Sequence, residues 1–239
     1  MRVLYWDAFA GMSGDMALSS LLALGVDPGE LQDKLASCGL SGFELKTERV
    51  EVEGIDSVHL EVKVTEDVSH RHLVDIEHMI VKGALSDKVK ETSVSVFRAL
   101  AEAEACVHGI TREEVHFHEV GAVDSIIDIV GTCIALDSLE IEQIVVPVLP
   151  WSRGFVKCAH GILPVPAPAA LELLSGFEFM DSGITGELIT PTGAALIKVL
   201  TQQGSFPAMK LLATGYGAGS NFYGLPNILR SVLGEIKKN

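Results

Sequence analysis

The sequence predicts an α/β protein in which helices pack on a mixed sheet, with an α+β arrangement as the alternative. Three observations carry that expectation. Residues 2–7, R-V-L-Y-W-D, form a strand-like run that passes through the glycine-bearing turn A-F-A-G-M-S-G-D-M into the helical run A-L-S-S-L-L-A-L-G. Residues 43–65 alternate with period two, the signature of half-buried strands. From Val123 the period changes: Val123, Ile126, Ile127, Val130 and Ile134 recur at helical spacing.

The chain has 239 residues, 48% of them hydrophobic and 21% charged, enough to bury a core and unlike a disordered segment. The expected organisation is a single metal- and substrate-handling domain over 1–239, with 43–65 as a β-hairpin excursion. Net charge is −14 and no Lys/Arg cluster interrupts it, which excludes a nucleic-acid partner and suits metal cations. The four cysteines form no C-x-x-C pair, so neither a zinc ribbon nor a redox motif is written. No signal peptide opens the sequence and no apolar run is long enough for a bilayer, so no membrane partner and a reduced, cytoplasmic location are expected.

In chain order, the first strand ends on Asp7. Ser13 is placed to cap the helix that follows, and Asp15 lies in its first turn. The glycines match neither a dinucleotide nor a P-loop pattern, so Asp7 and Asp15 suggest a carboxylate lip for a magnesium-like ion. Strand-end and helix-start roles are the structural alternative. Gly25 ends the first helix, and Asp27-Pro28 begins the next. The two strands of 43–65 are expected to turn at residues 54–57. His70, His72, Asp75 and His78 then gather nitrogen and oxygen donors suited to nickel, zinc or iron, or form a solvated helix start. Residues 86–107 make a long amphipathic helix, capped by Ser86 and ended by His108-Gly109, which reads as scaffold.

The stretch H-F-H-E-V-G-A-V-D-S-I-I-D-I-V-G, residues 116–131, organises the rest. In a short strand His116 and His118 share one face and Phe117 and Glu119 the other. Asp124 and Asp128, four apart, share one side of the following helix, so two imidazoles and two carboxylates can converge on one cation. Capping of the positive helix start by Asp124 is the alternative. I-V-V-P-V-L-P at 144–150 is a strand that belongs at an edge or ends early. Arg153, Lys157 and His160 form the densest cationic group and suit a phosphate or carboxylate. Prolines at 164, 166 and 168 introduce a short helix. Thr190 can cap the next one, with Pro191 at its first position and Thr192 and Gly193 leaving a second anion site open. K-L-L-A-T-G-Y-G-A-G-S is a strand entering a glycine-rich loop, and P-N-I-L-R-S-V-L-G-E is a last strand.

D-A-F-A-G-M-S-G-D-M, the 116–131 stretch, H-G-I-L-P-V-P-A-P, G-E-L-I-T-P-T-G-A-A-L, and G-Y-G-A-G with P-N-I-L-R resemble, in order and spacing, the N-terminal part of the nickel insertion protein of the lactate racemase cofactor pathway. The resemblance covers essentially residues 1–233, and the histidines at 70–78 fit it. It implies a nickel chelatase of the lyase class that inserts nickel into pyridinium-3,5-bisthiocarboxylic acid mononucleotide. The reaction forms a carbon–nickel bond flanked by two sulfur ligands and consumes CTP with Mg²⁺ or Mn²⁺. The product is the pincer cofactor of lactate racemase and related enzymes.

Family members continue into a C-terminal domain for nucleotide binding and oligomerisation, whereas this sequence stops soon after P-N-I-L-R-S-V-L-G-E. Expected partners are therefore the C-terminal half of the same family protein, which would use the CTP, an apo lactate racemase-type enzyme, and further copies in a homo-oligomer. Expected metal ligands are His116, His118, His70, His72, Asp7 and Asp15. Ser13, Arg153, Lys157, His160, Thr190, Thr192 and Gly193 are expected at the substrate. Displacement of a ring proton needs a base, for which Asp124, Asp128 and Glu119 remain open. Two other readings stand beside this one: a nickel-binding chaperone module without catalysis, and a divalent-metal phosphoester hydrolase built on Asp7, Asp15, His116 and His118.

Overall fold

The computed structural model describes residues 1–65, 71–117, 122–158 and 160–237, with His116 described in its backbone alone. The chain begins with strand β1 (Arg2–Asp7), helices α1 (Gly14–Leu22) and α2 (Pro28–Ser37), and the hairpin β2 (Phe43–Val52) and β3 (Ile55–Val64). Strand β4 (Arg71–His72) leads into α3 (Leu73–Lys82) and the long α4 (Asp87–His108), and β5 (His116–Phe117) precedes α5 (Val123–Ser138). Strands β6 (Gln143–Val146), β7 (Leu149–Arg153), β8 (Phe155–Cys158) and β9 (Gly161–Pro164) come next, then α6 (Pro168–Leu173), β10 (Phe179–Thr185) and α7 (Pro191–Leu200). Strands β11 (Gln202–Gln203), β12 (Lys210–Ala218) and β13 (Ile228–Glu235) follow α7.

The main sheet has seven strands in the order β11-β6-β1-β13-β12-β3-β2. It is mixed, as expected: β1 runs parallel to β6 and antiparallel to β13, and β12 runs parallel to β3. Strand β6 lies inside the sheet, between β11 and β1, and stops just before Pro147, so the prolines shorten it rather than send it to an edge. The 43–65 hairpin forms the far edge of this sheet. Its turn is Glu53-Gly54, both with positive φ (49° and 80°), so Ile55 to Ser57 fall in the strand rather than the turn. A two-residue turn of that hand matches strand twist, and glycine supplies one of the two left-handed positions at little cost.

Helix α1 lies on the sheet over β12 and β3, and eight of its nine residues are buried. The approach is close because Gly215 and Gly217 have no side chain: a Cβ there would stand 2.2 Å from the Ser20 carbonyl oxygen and 2.1 Å from that of Met16. These glycines sit inside β12, so the glycine-rich run serves helix-on-sheet packing. The buried hydroxyls of Ser20 and Ser231 meet at 2.7 Å and tie α1 to β13.

Helix α5 is buried on nearly all sides, against α1, α2, α4 and α7. A Cβ on Gly131 would lie 2.8 Å from Leu18 Cδ2, so that small residue sets the α1–α5 spacing. Helix α4 has the predicted limits. The Ser86 hydroxyl accepts from the Val89 amide at 3.2 Å, and Gly109, with φ 66°, closes the C-terminal turn in the left-handed conformation. Its last turn reaches the end of the core where α1, α5, α6 and α7 begin.

Candidate active site

A cavity of about 590 Å³ opens at that end. Four helix starts border it: Ser13 to Asp15 of α1, Asp124 and Ser125 of α5, Ala167 to Ala169 of α6, and Thr190 to Thr192 of α7. Glu104 and His108 arrive from the last turn of α4, and Lys157, Cys158 and His160 from the β8–β9 hairpin. Helix starts present unpaired amides and positive partial charge, so the backbone favours an anion while the carboxylates favour a cation.

Asp128 is half-buried where three elements meet. A Cβ on Gly14 would stand 2.5 Å from Asp128 Oδ2 and 2.8 Å from Thr192 Cγ2, so only glycine at 14 lets α1, α5 and α7 close around that carboxylate. Burial first, then the charges of Asp15 and Asp124, pushes the Asp128 carboxyl well above the usual carboxylate range. Ser13 occupies the N-cap position of α1 but makes no cap bond with its side chain; its hydroxyl donates to the Asp15 carboxylate instead. Asp124 accepts from the Ser125 amide at 2.9 Å. At the α7 start capping is conventional: Thr190 Oγ1 accepts from the Gly193 amide at 3.2 Å.

On the α4 side, Glu104 and His108 are one helical turn apart, with Glu104 Oε2 3.3 Å from His108 Nε2. The rings of His108 and His160 lie 4.7 Å apart at their centroids and tilt by 46°. One ligand atom from each of Glu104, His108 and His160 falls within 4.8 Å of the others, and these three form the metal-capable group found among the described residues.

Of the residues expected from sequence, Ser13, Asp15, Asp124, Asp128, Lys157, His160, Thr190 and Thr192 line the cavity together. Asp7, His72, Arg153 and Gly193 do not line it. The Asp7 carboxylate accepts from the Arg230 guanidinium on the neighbouring strand. Arg153 donates to Asp181 across the β7–β10 pair, which leaves its charge matched outside the cavity lining. Gly193 is buried beside the lining; a Cβ there would stand 2.1 Å from the Met12 carbonyl oxygen, so its smallness seats α7 on the loop before α1.

His72 is the N-cap residue of α3, and its backbone amide donates to Asp75 at 3.1 Å. Its backbone pairs with that of His116, so the two histidine-bearing stretches run side by side as β4 and β5. His70, His118 and Glu119 lie outside the described residues, as does the side chain of His116. Sequence reasoning passed over Glu104, His108, Cys158 and Glu187, which also line the cavity. The i,i+4 spacing of Glu104 and His108 was the available signal for the first two.

The sequence model of the nickel insertion protein family matches residues 4–239. A protein of Citrifermentans bemidjiense provisionally named for nickel insertion is 50% identical over 238 residues, covering 98% of this chain and 62% of its own. The pyridinium-3,5-bisthiocarboxylic acid mononucleotide nickel insertion protein of Desulfitobacterium hafniense is 45% identical over 237 residues, covering 99% of this chain and 59% of its own. The protein of that same name from Geobacillus kaustophilus is 43% identical over 247 residues, covering 98% and 60%. The chain thus spans about 60% of the length of the curated relatives it matches. No solved structure matches it. The match runs through the cavity-lining segments of α1, α4, α5 and α7 alike, and the chain belongs to the nickel insertion protein family.

Proposed function

We propose that this chain is the metal- and substrate-handling part of an enzyme that inserts nickel into pyridinium-3,5-bisthiocarboxylic acid mononucleotide. One observation carries the reading. A single cavity joins carboxylates and imidazoles suited to a borderline divalent metal with helix starts suited to an anion, and this substrate presents both needs at once. Its phosphate fits the uncharged start of α7 at Thr190 to Thr192, with Lys157 supplying a cation to the same lining. Its thiocarboxylates then face the acidic and histidine-bearing side.

Insertion replaces a ring carbon–hydrogen bond by a carbon–nickel bond. The proton must leave to a base, and the electron pair stays on carbon to bind the metal. Asp128 is the base we assign. Its raised proton affinity makes its carboxylate a stronger acceptor than an ordinary aspartate, and packing by Gly14 and Thr192 holds it in place. Asp15 and Asp124 keep the neighbourhood negative, which draws the cation in and raises the basicity of Asp128. CTP with Mg²⁺ or Mn²⁺ is the assigned co-reactant, used through the remaining part of the longer relatives. An apo lactate racemase-type enzyme is the assigned recipient of the product.

The test mixes this chain with the bisthiocarboxylated mononucleotide, Ni²⁺, CTP and Mg²⁺, with and without a polypeptide equivalent to the remaining part of the relatives. A nickel-bearing product, followed by absorbance and mass, is expected when both parts are present. Its absence from both mixtures would remove the reading.

A further inference from the structure

We propose that Glu104, His108 and His160 form the nickel-loading site of this chain, a three-ligand station at the wall of the cavity from which the ion passes to the substrate's sulfurs. The assignment of nickel as cargo rests on the function proposed above; the existence of a metal site does not.

The geometry comes from two distant pieces of chain. Glu104 and His108 share one side of the last turn of α4, and the β8–β9 hairpin brings His160 to them from 52 residues further on. Ligand atoms around a single borderline divalent ion, at about 2.1 Å from it, lie roughly 3 to 4 Å apart. The three atoms here are already within 4.8 Å of one another, near that spacing, and two of the three side chains, His108 and His160, are exposed. The two imidazole rings stand 4.7 Å apart at their centroids, close enough for one divalent ion to take a nitrogen from each.

The ligand types decide what the site takes and how firmly. Imidazole nitrogen and carboxylate oxygen suit nickel, and three protein ligands leave coordination positions open. A closed cage would keep the ion. An open site loads from solvent, because His108 and His160 are both exposed, and lets a substrate sulfur enter before a protein ligand departs. The ion moves as Ni²⁺ throughout, with no change of oxidation state. Water refills the positions that the protein ligands vacate, and the two sulfurs and ring carbon of the substrate offer three donors in one molecule. Transfer therefore runs toward the product.

The test titrates the intact chain with NiCl₂ by calorimetry, with neither substrate nor nucleotide present, and repeats the titration with Co²⁺ while recording the visible spectrum. One Ni²⁺ per chain is expected. His108→Ala, His160→Ala and Glu104→Gln should each weaken it by about tenfold or more and change the cobalt spectrum, about 1.4 kcal/mol per decade. His59→Ala, at a histidine that does not line the cavity, should change neither. His108→Asn repeats the test with a smaller change of shape, and thermal melts establish that each variant is folded.

Nickel affinity and cobalt spectra in the His108→Ala/His160→Ala double variant that match the unsubstituted chain would overturn the proposal, as would failure of the unsubstituted chain to bind nickel. The two readings fail separately. Loss of nickel in the variants with no product from any complete mixture removes the insertion reading and keeps the loading site. Product formation with unchanged nickel binding in the variants does the reverse.

Discussion

Four helices begin at the cavity, and they fall into two unlike pairs. Helices α1 and α5 each place an acid in the first turn, Asp15 and Asp124. Helices α6 and α7 have no acid there and open on proline. All four starts carry the same positive partial charge from their free amides. In the first pair a carboxylate neutralises it and turns that side toward cations; in the second it stays available to an anion. One residue type at one helical position therefore gives a single cavity two helix starts suited to a cation and two suited to an anion, the division on which the proposed metal and phosphate sides rest.

The strongest way to break this division is to disable the group on the metal side that we assign as base. Asp128→Asn keeps the shape that fits Gly14 and Thr192 but cannot take the ring proton. Product formation is expected to fall by at least about 100-fold in single-turnover assays. The same variant checks the electrostatics. A free aspartate titrates near 3.9, while folded Asp128 holds its proton to higher pH. Between those two values the native state carries a proton that the unfolded chain has lost, so stability contributed below the lower value disappears as pH rises through the higher one. Asparagine removes that dependence. The variant should melt above the unsubstituted chain at neutral pH, and the gap should close as pH falls toward 4. A gap that widens on acidification would contradict the assignment.

Gly193→Ala tests how the two sides are held together. The added methyl meets the Met12 carbonyl and must push α7 away from the loop before α1, at a cost of about 2 kcal/mol in chemical denaturation. Lys157→Ala probes the phosphate side alone. Because the lysine is exposed, the expected effect is a rise of about fivefold in the substrate concentration at half-saturation, roughly 1 kcal/mol, with kcat unchanged. Thr190→Ala removes the α7 cap and should lower stability by about 1 kcal/mol. If Lys157→Ala and Thr190→Ala together leave substrate affinity untouched, the phosphate binds elsewhere.

Local chemistry made much of this molecule legible in advance. The Asp27 cap and Pro28 of α2, the Ser86 start and Gly109 stop of α4, and the Thr190-Pro191 opening of α7 are all written within a few residues, and all stand where expected. Pairings between distant segments were not legible. Nothing near Asp7 announces that Arg230 will neutralise it, and nothing near Arg153 points to Asp181. Glu104 and His108 belong to a helix and its end that read as scaffold, because an i,i+4 pair looks the same with or without His160 beside it. The glycine-rich run read as a loop, whereas Gly215 and Gly217 lie inside β12 and answer to the backbone of α1 pressed against it.

The place of β13 has a consequence for how this protein comes off the ribosome. β1 is synthesised long before one of its two neighbours in the sheet, formed by residues 228–235, and the Asp7–Arg230 pair spans 223 positions. At roughly 5 to 20 residues per second, the nascent β1 waits on the order of tens of seconds for that partner. Until then the backbone edge of β1 that β13 will cover has no partner there, and pairing across so long a loop is the slow kind of contact in folding.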